Sequence, residues 1–468
     1  MRPGILRFTL PGWTDPEAAF TTLYGNSTDV IWLDSGITAH SGTSYMGAAS
    51  RVLRSDDHDE RPVLDRLRDD VAQRAVPAGE SAGFALGWVG WLGYETRFET
   101  LDMPRTRRSR YPDAAFSYLD RALAFDHATS TVTLIAVGDA WEGGLAVWRD
   151  EMIAALAGGA GAGADGEAGA AADGFRIPPG GARPALTGTR TDMPAAHSWR
   201  YSDEQYLAMI GQCQRAIADG HAYQLCLTTE VSVPGRHDPL ATYLALRAAS
   251  PSHHGGLIRV GDVALLSSSP EIFLTVGTDR TVTSLPIKGT RPRGSTPADD
   301  DRLRAELVGS DKERAENLMI VDLMRNDIGR VSEVGSVEVT SLLAVESYAQ
   351  VHQLVSTVRG RLRSGLDPVD AVVACFPAGS MTGAPKRSAT AILDRLEQRP
   401  RGIYSGAFGY FGLDGRVDLA MVIRSIVIDP NGATVGSGGG ITALSVPEEE
   451  LAEVKLKARA LLGVLGID

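Results

Sequence analysis

The rhythm of apolar and polar positions changes several times along the chain. Asp29–Leu33 is a short β-branched run and predicts a strand. From Pro62 to Val76, Val63, Leu64, Leu67 and Val71 fall on one face of a helix. Pro62 suits its first position, where a missing N–H costs nothing. Phe84–Glu95 is almost wholly apolar, with Gly87, Gly90 and Gly93 three apart, as in a core strand that other backbones approach closely. Residues 1–156 therefore read as an amino-terminal α/β part. Residues 157–196 are mostly Ala, Gly and Pro; they cannot bury enough apolar surface to order themselves and predict a flexible insertion. The pattern resumes at Ser202. Ser-Asp-Glu-Gln predicts a helix start leading into Tyr206, Met209, Ile210 and Cys213, and 223–231 predicts the next strand.

Ser267–Arg293 reads as strand, turn, strand and basic loop. Glu271 opens the first strand and Lys288 follows the second, so a hairpin is expected to return Lys288 toward Glu271 across one sheet. Such a pair is either a surface ion pair worth under about 1 kcal/mol, or an acid and an amine that tune each other in a pocket. Helices are predicted over Asp311–Asp327 and Pro447–Leu462. Glu313 and Glu316 share a face of the first, and Glu450 and Glu453 a face of the second. These faces are either solvated or offer hard oxygen ligands suited to Mg²⁺. Residues 376–387 form a turn-rich loop entering a helix whose first N–H groups are open to an anion, with Lys386 adding charge. Residues 402–411 and 418–428 predict paired strands. Arg424 interrupts the second and calls for an anion, structural or bound. Gly436–Ile441 (GSGGGI) supplies backbone N–H groups.

Composition narrows the picture. A chain of 468 residues, 43% hydrophobic, can bury one large core or two. Its net charge of -12 argues against a nucleic-acid partner. Cys213, Cys226 and Cys375 lie far apart, which fits a reduced, cytoplasmic setting. No apolar run is long enough for a membrane span, and the opening MRPGILRFTLPGW lacks the apolar stretch of a secretory signal.

Ser-Pro-Glu at 269–271, followed by PIKGTRPRG from Pro286, resembles the chorismate-utilising enzymes: anthranilate, aminodeoxychorismate, isochorismate and salicylate synthases. GSMTGAPK at 379–386 and GWVGxLGYE at 87–95 match the same family, strongly after Tyr206 and weakly over the first 150 residues. Lysine within PIKGT is the form of the aminodeoxychorismate synthase large subunit, where anthranilate synthases read PIAGT. The resemblance implies an α+β sandwich of the anthranilate synthase component I type, with two sheets surrounded by helices and the site between them. It makes 197–468 the chorismate-binding region.

It further implies Lys288 as nucleophile and Glu271 as general acid. Glu316 and Glu453 would be direct Mg²⁺ ligands, with Glu313 and Glu450 holding metal-bound water. Thr290, Gly383, Ala384, Lys386, Tyr404, Arg424, Gly438, Gly439 and Gly440 would bind substrate. The metal and nearby cations are expected to lower the pKa of Lys288. Gln224 stands where water-using relatives carry a lysine base, and Gln353 where the family usually has a histidine, with His352 beside it. Ser250–His254 departs from the family's Asn-Pro-x-Pro-aromatic loop, leaving tryptophan feedback open. No cysteine sits in a glutaminase elbow, so ammonia is expected from a separate glutamine amidotransferase subunit or from solution. The competing readings are an anthranilate synthase, an amidase pairing Ser267, Ser268 or Ser269 with Lys288, and a non-catalytic anion-binding protein.

Overall fold

The computed structural model describes residues 4–37, 39–56, 59, 61–77, 83–159, 197–348 and 351–467. From 160 on, the expected Ala/Gly/Pro insertion lies outside the described residues. Two antiparallel sheets, of 12 and 10 strands, dominate. One apolar core lies between them, where Trp91 and Phe408 of the smaller sheet meet Ile31, Ile258 and Val427 of the larger. Three further cores lie beneath helices on the outer faces, as sheets with two apolar faces require. None of the described helices is long and apolar enough to cross a membrane.

The two ends of the chain share both sheets. Strand Val30–Asp34 pairs with His254–Val260 in the larger sheet, and Gly87–Leu92 pairs with Ala407–Gly412 in the smaller. Gly90 shows why its run is glycine-rich: a Cβ there would lie 1.9 Å from the Ala115 carbonyl oxygen.

Helix starts follow the expected chemistry. Ser202 forms a reciprocal capping box with Gln205 ahead of helix Asp203–Ala218. Pro62, expected as the first residue of its helix, instead caps Val63–Arg74 from outside.

Two strand expectations are corrected. Ile272–Val276 and Thr281–Ser284 do form a hairpin, but the lysine strand Ile287–Pro292 is not its third member. Strand Val351–Arg361 lies between, so the sheet order is lysine strand, Val351–Arg361, Thr281–Ser284, Ile272–Val276. The basic loop predicted at 287–293 is therefore largely strand, and Glu271 and Lys288 are not cross-strand partners. The strand predicted over 418–428 is two strands in different sheets, Val417–Met421 in the smaller and Ser425–Asp429 in the larger. The chain crosses between sheets at Val422–Arg424, where Arg424 takes a left-handed backbone (φ +51°). Arg424 does not interrupt a buried strand; it stands at the seam of the sandwich.

Candidate active site

A cavity of about 400 Å³ opens between the two sheets and is closed on its flanks by helices Asp311–Gly329 and Pro447–Val464. Glu271, Lys288, Thr290, Tyr404, Arg424 and Gly438–Gly440 line it, together with Glu313, Glu316, Glu450 and Glu453. Gly383, Ala384 and Lys386 do not. Lys386 is buried, with Nζ 2.6 Å from Asp327 Oδ2 and donating to the Cys375 carbonyl. Its charge anchors helix Lys386–Glu397 against Asp311–Gly329.

Lys288 reaches the cavity through a bulge. Between Ile287 and Thr290 the register against Val351–Arg361 shifts, and Gly289 sits at φ +84°. A bulge re-aims a side chain that regular pairing would hold in line. A side chain at Gly289 would be strained at this φ, and its Cβ would also crowd Leu307 Cδ1 at 2.8 Å. Burial alone would push the Lys288 ammonium down, but Glu316, the Cys226 thiol, Glu271 and Glu453 outweigh it, and the net direction is up. The protein's own acidic groups thus hold the proton on; the expected depression was ascribed to the metal, which is not part of this balance.

Glu271 sits just before strand Ile272–Val276, fixed by the Met421 N–H on its carbonyl (2.9 Å). Burial pushes its carboxyl pKa up, against the pull of Lys288 and a hydrogen bond from Ser380. Among the described residues neither Glu271 nor Lys288 is in an ion pair; each offers its functional group to the cavity.

The helix that carries Glu313 and Glu316 is pinned from behind. Asn317 is fully buried, donates to the Leu354 carbonyl (3.1 Å) and accepts from Ser356 Oγ (2.6 Å). Those bonds turn Glu316 toward the cavity. The Glu316 carboxylate makes no hydrogen bond or ion pair among the described residues, and burial with nearby Glu313 and Glu450 raises its pKa despite Lys288 and Lys312. The other three acids have partners: Arg291 lies 3.4 Å from Glu313, Lys312 3.5 Å from Glu450 and Lys457 2.7 Å from Glu453. Ser445 also donates to Glu450 at 2.7 Å. Among the described residues, no three acidic, histidine or cysteine side chains converge enough to enclose an ion alone.

Across the cavity, Tyr404 and Arg424 form the opposite wall. Gly436 must be glycine, because a Cβ there would lie 2.0 Å from the Tyr404 ring. The GSGGGI run is strand, not loop. It pairs with Gln224–Pro234 on one side, while beyond Val435 its other edge leaves strand Ser425–Asp429 and borders the cavity. The Arg424 guanidinium makes no hydrogen bond or ion pair among the described residues and is available to an anion, while its carbonyl accepts from the Ser268 N–H (3.1 Å).

Sequence reasoning missed Lys312, Lys457, Arg291, Ser380 and the thiol of Cys226 as cavity residues. Lys312 and Lys457 were recoverable, since each stands one helical turn from a predicted ligand, Glu316 or Glu453. Gln353 lines the cavity. His352 points away, bonded to Ser347 Oγ and Asp300 Oδ1. The serines of the amidase reading are engaged elsewhere: Ser267 with Ser425 Oγ, Ser268 with the Ser250 carbonyl and Ser269 with the Glu271 carbonyl.

Residues 28–463 match the family described as chorismate binding enzyme. Similar curated proteins include the aminodeoxychorismate synthases of Streptomyces pristinaespiralis and Streptomyces griseus. Each is 42% identical; the matches cover 96% and 98% of this chain and 64% of each relative. The chain thus spans just under two thirds of the length of these relatives. Among solved structures, anthranilate synthase component I from Streptococcus pneumoniae TIGR4 superposes with a TM-score of 0.74 at 26% identity, covering 97% of this chain and 99% of that one.

Proposed function

The chain belongs to the chorismate-binding enzymes, and on that premise we propose that it aminates chorismate at C4, as an aminodeoxychorismate synthase large subunit does. One observation carries the reading. The PIKGT lysine and the Ser-Pro-Glu acid enter the same cavity unpaired, and the acid's pKa is raised by burial.

The donor set fits Mg²⁺. Four carboxylates supply hard oxygens, and Glu316 is crowded by like charge without an ion-pair partner. An incomplete protein shell suits an ion that keeps waters and takes its remaining ligands from an anionic substrate. Glu316 and Glu453 would hold it directly, and Glu313 and Glu450 through water. When bound, the ion neutralises carboxylates that hold the Lys288 proton and offsets the charge of the substrate's ring carboxylate.

Arg424 and the Tyr404 hydroxyl receive the enolpyruvyl carboxylate, and the Gly438–Gly440 edge adds backbone donors. Lys288 Nζ, having lost its proton, attacks C2. Glu271 gives its proton to the C4 hydroxyl, which leaves as water as both ring double bonds shift. Ammonia then attacks C4 and gives up a proton to Glu271, both double bonds return, and Lys288 departs from C2. The net change is exchange of hydroxyl for amine, with one water released. The ammonia comes from a glutamine amidotransferase partner, and the cytoplasm is the setting these reactants imply.

Mass spectrometry of products from chorismate, Mg²⁺ and ammonium chloride tests the reading. The expected product is 4-amino-4-deoxychorismate with its enolpyruvyl group intact. Anthranilate with free pyruvate, or unchanged chorismate, refutes it.

A further inference from the structure

Asn317 follows Glu316 directly on helix Asp311–Gly329, and the two side chains leave the helix in different directions. Glu316 lines the active cavity. Asn317 is fully buried and faces the sheet. Its amide meets that sheet at the bulge of the lysine strand. Between the pairs Ile287–Val355 and Thr290–Gln353, two residues, Lys288 and Gly289, stand against one, Leu354. Asn317 Nδ2 donates to the Leu354 carbonyl (3.1 Å) and lies 3.5 Å from the Pro286 carbonyl, two residues before Lys288.

The amide oxygen is engaged as well, accepting from Ser356 Oγ at 2.6 Å. Ser356 is also fully buried, and its N–H donates to the same Pro286 carbonyl (3.1 Å). Its Oγ accepts from the Leu343 N–H (2.9 Å), where strand Glu338–Ser347 slips register too. Bulges leave backbone groups without ladder partners, and buried ones must find others. Asn317 and Ser356 supply them on both sides of Val351–Arg361.

A link between Glu316 and Lys288 that stays outside the cavity therefore runs through one amide. Inside the cavity the two groups act on each other's charge. None of the chemical steps above gives Asn317 or Ser356 a part. We infer that Asn317, locked by Ser356, is a positioning residue that fixes Lys288 relative to the Glu316 carboxylate, so that one buried amide sets both the nucleophile and a metal ligand. This role rests on the amination reading given above.

Asn317→Leu, Ser356→Ala and the two together test it. Three measurements are compared: urea melts, steady-state amination with ammonium chloride at saturating Mg²⁺, and Mn²⁺ binding without substrate, followed by electron paramagnetic resonance. Removing one partner strands the other in the core, whereas replacing both by apolar groups is nearly neutral for stability. The double variant should therefore melt nearer to the wild type than either single variant does. A purely structural pair would recover function along with stability. The expected result is instead a double variant with kcat at least about tenfold below the wild type and a Mn²⁺ dissociation constant at least about tenfold above it. Wild-type values of both, or a change in only one, overturn the tie. Should the double variant not fold, Ser356→Ala decides: both values move in the same directions, or the tie is overturned. A wild type that forms no aminated product refutes the amination reading instead. The tie is then read from Mn²⁺ affinity together with the rate at which cyanate carbamylates Lys288, and both should still change in the double variant.

Discussion

Arg401 and Glu397 meet in a buried two-pronged ion pair, with Nη2 to Oε1 at 2.7 Å and Nε to Oε2 at 2.8 Å. The guanidinium also donates to the Met381 and Cys226 carbonyls (2.7 and 2.8 Å), and Glu397 accepts from Thr228. The pair thereby ties the loop behind the cavity to the strand carrying Cys226. Removing one partner leaves the other charged and buried, which costs about 3–5 kcal/mol. Glu397→Ala should therefore unfold at markedly lower denaturant, with Glu397→Gln less affected. Urea melts followed by circular dichroism measure both.

Lys288→Ala should abolish C4 amination while leaving the melting temperature near that of the wild type, since Lys288 is in no ion pair to lose. Full-rate amination by this variant would eliminate the covalent step. Glu271→Gln keeps the shape but cannot donate a proton, and a loss of about 10²–10⁴ in kcat is expected. Single-turnover product formation checks both.

The pH profile follows from the two directions of shift. Activity needs Glu271 protonated and Lys288 neutral. Rate should climb with pH as the amine loses its proton, then fall as the acid loses its own. The protein's own groups raise both pKa values, and the two groups act on each other, so the limbs belong to the pair. In Glu271→Gln the fall at high pH should vanish. A descending limb that survives in Glu271→Gln would assign it to another group.

Glu316→Gln should raise the Mg²⁺ needed for half-maximal rate by at least about 10–100-fold, the factor that losing a contact behind a direct ligand already costs. Titration of the rate with Mg²⁺ after chelator treatment reads this directly. A metal-independent rate would remove the four glutamates from the chemistry.

Asp300 offers a prediction away from the site. The Arg293 guanidinium, then the Gly294 N–H and His352, hold its carboxyl well below the usual range. A depressed carboxyl stabilises the fold above its unfolded value of about 3.9, and that contribution is lost as pH falls through the folded value. Asp300→Asn should therefore lose less stability than the wild type between pH 5 and pH 2. Thermal melts across that range compare the two.

Much of this was legible in the sequence, for reasons that differ by residue. Ser202 with Gln205 announced a helix start because capping is local chemistry. Glu313, Glu316, Glu450 and Glu453 were legible as pairs because helical spacing fixes which residues share a face. That the two pairs meet in one cavity depends on how helices pack, which periodicity does not encode. The strand next to Lys288 was misassigned because Val351–Arg361, some sixty residues downstream, inserts between it and the hairpin. No local signal reports such a long-range pairing. Arg424 was misplaced for a related reason: apolar residues run on both sides of it, and one apolar run can feed two sheets when its middle residue adopts a left-handed turn. Lys386 carried a family signature, yet its charge faces Asp327. A motif preserves a residue without saying which neighbour it serves.

The interleaving of early and late strands bears on how the molecule could be shortened. None of the residues before Cys226 that are described here touches the active cavity, so the amino-terminal third looks dispensable for chemistry. Cutting it away would strip partners from Ala407–Gly412 and His254–Val260 at once, baring two rows of unsatisfied amides and carbonyls that invite self-association. A trimmed catalytic half should precipitate, so the amino-terminal stretch serves the cavity by covering the sheet edges that frame it.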